Sequence, residues 1–93
     1  MSYNGYTNYE TWNCGLWLDN DPGTYEMVKE WAEDCHNVYE LEVMLKDYVE
    51  ENNPVEDASM YSDLMQSAID NINFRELAEG YWEEYHEEVE EEL

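Results

Sequence analysis

Ninety-three residues carry 25 Asp and Glu against three Lys and Arg, a formal net charge of −22 at pH 7. A surface of that sign excludes direct binding to nucleic acid, whose phosphates are met by cations, and no stretch approaches the length of a membrane span. Yet 43% of the residues are hydrophobic and 15% aromatic, so the chain reads as one folded polyanionic domain over 1–93 and not as a disordered acidic segment.

The first predicted helix starts after Thr7, whose hydroxyl caps the backbone while Glu10, three residues on, reaches back to the Thr7 amide. Tyr9, Trp12 and Leu16 then share its inward face. The run Asp19-Asn20-Asp21-Pro22-Gly23 breaks the pattern, with Asp21 capping a second helix and Pro22 in its first turn. That helix buries Val28, Trp31, Ala32 and Cys35. Asn37 and Glu40 repeat the capping pattern for a third helix, whose Leu41, Met44, Leu45 and Tyr48 face inward and which ends before Asn52-Asn53-Pro54. Tyr61, Leu64, Met65, Ala68 and Ile72 place a fourth helix. Asn73 with Glu76 opens a fifth, with Phe74, Leu77, Ala78, Tyr81, Tyr85 and Val89 at core spacing. Gly80 inside it implies a close neighbour or a bend. No period-two run is long enough for a strand, and the short connections favour antiparallel neighbours, so the expected fold is all-α, a compact bundle of about five short helices.

Carboxylates four apart on a helix stand about 6 Å apart along its axis, a row of regularly spaced negative charge. Glu76, Glu79, Glu83, Glu87 and Glu90 form one such row, with Glu84, Glu88 and Glu91 beside it. Glu26, Glu30, Glu33 and Asp34 form a shorter row on the second helix, and Asp47, Glu50, Glu51, Glu56 and Asp57 add further acidic surface. Like charges at this spacing destabilise a helix, and the last of them sit at the negative end of the helix dipole, so stability alone does not select them. These rows are the candidate partner-binding residues. Tyr3, Tyr6, Trp17, Tyr25 and Trp82 fall off or at the margin of the core stripes, where aromatic side chains serve either partial burial or contact with a partner, including a second copy of the chain.

Other chemistries are poorly supported. Asp19, Asp21, Gly23, Tyr25 and Glu30 stand at offsets resembling positions 1, 3, 5, 7 and 12 of a calcium loop, but the turn position is Thr24 and position 5 is Gly23, which has no side-chain oxygen. Cys14, Cys35 and His36 lack zinc-ligand spacing, and two cysteines in a chain without a secretory signal are expected as buried or idle thiols. No nucleophile motif and no Gly-rich phosphate loop is present. The expectation is a non-enzymatic cytoplasmic protein without cofactor or metal.

TNYETWNCGLWLDND, residues 7 to 21, resembles the opening signature of a family of small helical domains in bacteriophage and mobile-element proteins, and INFRELAE, residues 72 to 79, resembles that family's later helix start. The resemblance implies a phage or plasmid origin and supplies no catalytic residues. Joined to the charge, it makes the chain similar in kind to DNA-mimic anti-CRISPR and antirestriction proteins. The expected partner is a positively charged DNA-binding protein or complex of the host, a CRISPR effector ahead of a restriction enzyme, because a small body fills one cationic groove better than it imitates a long bent duplex. The alternative is an acidic interaction module or assembly factor that binds a basic partner without excluding DNA.

Overall fold

The computed structural model describes residues 3–55 and 57–91, and for residues 86–91 the helical backbone alone. Five helices make up the all-α fold: α1 (Tyr9–Asn20), α2 (Pro22–Asp34), α3 (Val38–Glu51), α4 (Met60–Asp70) and α5 (Phe74–Glu91). Before them Tyr3 and Tyr6 exchange two backbone hydrogen bonds across Asn4 and Gly5. Both turn residues have positive φ, 47° and 92°, which Asn and Gly tolerate best. None of the described helices is long and apolar enough to cross a membrane.

Side-chain caps decide where the helices begin. Asp21 Oδ1 accepts from the amides of Gly23 and Thr24 ahead of α2, and Asn37 Oδ1 accepts from Glu40 ahead of α3. The Glu40 carboxylate takes the His36 amide at 2.7 Å and not the Asn37 amide. That hydrogen bond holds the Glu40 carboxyl below the usual carboxylate range. Ser59 and Ser62 form a reciprocal capping box on α4.

At α1 the cap falls one residue later than the sequence pattern predicts. Asn8, not Thr7, is the N-cap, and its Oδ1 accepts from both the amide (2.9 Å) and the hydroxyl (2.6 Å) of Thr11. The Thr7 amide instead donates across the molecule to Glu76 Oε1 at 3.0 Å. Thr11 is fully buried, and its Oγ1 accepts from the backbone amide of Asn73 at 2.8 Å. Asn73 Oδ1 in turn caps α5 through the Glu76 amide, and Asn8 Nδ2 donates to the Asn71 carbonyl at 2.7 Å. The starts of α1 and α5 are therefore bound into one polar junction.

α5 is the element on which the others assemble, packing against α3, α2 and α1. The core consists of Leu18, Val28, Ala32, Cys35, Leu41, Leu45, Ile69, Phe74, Leu77, Ala78, Tyr81 and Tyr85. On α2, α3 and α5 this agrees with the sequence periodicity, with Trp31, Met44 and Tyr48 half-buried at its edge. Val89 lies outside the described side chains.

Two faces depart from expectation. On α1 the buried residues are Thr11, Gly15 and Leu18, while Tyr9 and Leu16 are exposed and Trp12 is half-buried. Polar capping and close approach set this rotation, because a Cβ on Gly15 would lie 3.1 Å from Leu77 Cδ2. Tyr9 and Trp12 pack on Tyr3 outside the core, with centroids 5.3 and 5.0 Å from it. On α4 only Ile69 is buried; Tyr61 and Leu64 are 68% and 62% exposed, Met65 is exposed, and Ile72 lies beyond the helix. Of the two readings of Gly80, the close neighbour is ruled out, since no atom stands within 4 Å of an added Cβ.

Three substitutions test this packing. Gly80→Ala should stabilise the protein by about 1 kcal/mol through helix propensity alone, a rise of roughly 4–8 °C in Tm for a domain of this size. Gly15→Leu should cost about 1–3 kcal/mol by forcing α1 from α5. Thr11→Val keeps the shape but strips the hydroxyl from the junction, and should cost about 1–3 kcal/mol. Thermal melts followed by circular dichroism measure all three.

Candidate interaction surfaces: acidic faces and an apolar groove

The carboxylates divide by what they touch. On α2, Glu26, Glu30, Glu33 and Asp34 are all exposed, and none belongs to an ion pair among the described residues, where the pairs are His36–Glu40, Arg75–Glu42 and Arg75–Glu79. On α5 the expected continuous row is divided. Glu76 is half-buried and occupied by the Thr7 amide, so it serves the fold. Glu79 is held by Arg75 Nε at 3.3 Å, while the same guanidinium reaches Glu42 of α3 at 3.5 Å. Glu83 and Glu84 are exposed, and no ion pair among the described residues includes them. The side chains of Glu87, Glu88, Glu90 and Glu91 lie outside the described residues, as does Glu56. Asp47, Glu50, Glu51 and Asp57 are exposed on and after α3.

The two acidic helices are neighbours, and aromatic rings join them. Tyr25 of α2 meets Tyr85 of α5 edge to face at 6.1 Å between centroids. Tyr81 donates its hydroxyl to Asp19 Oδ1 at 2.9 Å, and burial first, then the Asp19 charge, raises its pKa. Asp19, Glu76 and Glu84 border a small cleft of about 140 Å³ over Gly80 and Tyr81. Asp19 and Asp21, the first two positions of the calcium-like spacing, are thus bonded to Tyr81 and to the start of α2. No group of three or more metal-ligating side chains is assembled among the described residues.

A second surface is absent from the sequence reading. Between α1, the end of α3 with the segment after it, and α4 lies a groove of about 470 Å³, within the size range of ligand pockets. Its walls are Cys14 and Leu18 of α1, Tyr48 and Val49 of α3, and Met65, Ala68 and Ile69 of α4, with Ile72 beyond. Trp17, 70% exposed, stands at its margin, and Glu10 and Asp21 supply negative charge along the α1 side. The apolar residues on α4 that read as core in the sequence line this groove or face solvent. The sequence signal available was the off-stripe Trp17 together with an α4 stripe too weakly buried to need all its apolar residues.

Both cysteines are free thiols. Cys35 lies against Met44, Sγ to Sδ 3.4 Å. Burial pushes the Cys14 thiol up from 9.0 to about 11, so it is protonated and inert at neutral pH.

The chain belongs to DUF7249, a family of unknown function, whose model matches residues 1–88. No curated protein and no solved structure matches it.

Alkaline pH probes this environment. The folded state keeps the Cys14 proton where the unfolded chain releases it, so the stability tied to it is fully present below the unfolded pKa, near 9, and is lost as pH rises towards about 11. Buried Tyr81 and Tyr85 act with the same sign above the ordinary tyrosine range. Tm should fall from pH 9 to 11, and Cys14→Ala should flatten the first part of that fall, as read by circular dichroism melts at constant ionic strength.

Proposed function

We propose that this DUF7249 protein is a DNA mimic, a non-enzymatic inhibitor that occupies the positively charged DNA-binding site of a host defence protein or nucleoprotein and keeps DNA out. The observation that carries the reading is charge per length. A net charge of −22 on a body 51 Å long is one negative charge per ~2.3 Å, against one per about 1.7 Å of duplex axis. The exposed carboxylates of α2 together with Glu83 and Glu84 present part of that charge on two adjoining helices, with Lys29 the one cation on α2.

Size favours a CRISPR effector over a restriction enzyme. The long dimension of 51 Å corresponds to roughly 15 base pairs of duplex, suited to a PAM-reading or duplex-admitting channel and short for a long bent site. A second reading, an acidic module that binds a basic protein without excluding DNA, draws on the groove beside α4, which has no counterpart on a nucleic acid.

Competition separates the two readings. Under the first, the protein displaces duplex DNA from its target in a fluorescence-anisotropy titration, and its affinity falls steeply as salt rises. A ternary complex of target, DNA and this protein at the same site would sink the mimic reading. Glu30→Lys with Glu33→Lys, and Glu83→Lys with Glu84→Lys, should each weaken inhibition at least tenfold without lowering Tm, because all four side chains are exposed and each change relieves like-charge repulsion.

A further inference from the structure

From the groove between α1, α3 and α4 we infer a separate docking site, whose occupant is an amphipathic basic helix of a partner protein. Three observations lead there. The walls are apolar and built from three helices, with Leu18, Val49, Met65 and Ile69 among the lining side chains. Beside the groove Trp17, Tyr61 and Leu64 are each more than 60% exposed, an apolar surface continuing beyond the groove that solvent alone does not favour. The groove carries the carboxylates of Glu10 and Asp21, and the chain around it has a net charge of −22.

Those features select among occupants. A second copy of the chain would bring another net charge of −22 to the same face, so self-association there works against strong repulsion. A neutral apolar ligand would leave the carboxylates without a role. A helix with large apolar side chains at i, i+3, i+4 and i+7 and Lys or Arg on its flanks satisfies both, its apolar stripe in the groove and its cations towards Glu10 and Asp21. The site does not rest on DNA mimicry: no residue of α5 lines it, and it serves equally a target that is held by a helix here while its DNA site is covered elsewhere.

The probe is a synthetic 16-residue peptide with Leu at the stripe positions and Lys elsewhere, compared with a scrambled peptide of identical composition and with one carrying Glu for Lys. Binding is followed by isothermal titration calorimetry at physiological salt, and by acrylamide quenching of tryptophan fluorescence in the wild type and in Trp17→Phe. The amphipathic basic peptide should bind at least tenfold more tightly than either control and shield a Trp17-dependent part of the fluorescence. Met65→Lys, at an exposed groove position, and Ala68→Phe, which fills the groove, should each weaken it at least tenfold, with unchanged circular dichroism as the folding control. Glu83→Lys with Glu84→Lys should alter it less than threefold, so failure of the mimic reading leaves this result standing. Equal binding of the scrambled peptide, or of the Glu peptide, would overturn the proposal, as would sedimentation showing a dimer that buries Trp17.

Discussion

Thr11 is the residue through which the two ends of the chain are held in register. Its hydroxyl, buried without access to solvent, donates to Asn8 and accepts from the Asn73 amide. A buried hydroxyl left without partners is costly, so α1 and α5 can meet only where Asn8, Thr11 and Asn73 coincide. Glu76 tightens the same junction by taking the Thr7 amide. Once it forms, Gly15 lies against Leu77, and α2 and α3 close on the remaining faces of α5. Among the described residues no buried side-chain nitrogen or oxygen is left without a partner. Apolar packing therefore carries no penalty from an unpaired buried polar side chain among the described residues.

The same junction explains what the sequence could and could not disclose. Residues 7–21 and 72–79, the two segments with the most distinctive sequence, bond to each other through Thr7, Thr11, Asn73 and Glu76. Helices α2, α3 and α5 are legible because each has an unambiguous side-chain cap and an apolar stripe that turns into the one shared core. α1 was misplaced in phase: Tyr9, Trp12 and Leu16 have the right spacing, but burial of Thr11 and the missing side chain of Gly15 decide which face turns inward. Periodicity cannot weigh a hydrogen-bonded threonine against an aromatic ring. The Asn4-Gly5 pair is a turn signal of its own, lying outside the helical periodicity, and it brings Tyr3 onto Tyr9 and Trp12.

For the acidic surface, the sequence located the carboxylates but not their employment. Glu76 and Glu79 share spacing with Glu83, yet the first is bound to the Thr7 backbone and the second to Arg75. Only long-range geometry separates them from neighbours that remain free. Arg75 has a further role, bridging α5 to Glu42 of α3 and so tying together the largest helix pair. Of the three Lys and Arg in the chain, Lys29 is the one that stands on α2 with its carboxylates, and it belongs to no ion pair among the described residues.

α4 differs from the other four helices in how it is held. It is closed at its start by a local serine box and fixed to the core through Ile69, and the remainder of its apolar surface contributes little burial. Regions with few buried contacts open at a fraction of the global unfolding free energy. By its low burial, α4 is the helix expected to open first, below the free energy that unfolds α5 and its partners. Since it forms one wall of the groove, opening of α4 would change the width of that cleft, and an occupant that holds α4 closed bears the entropic cost of ordering it.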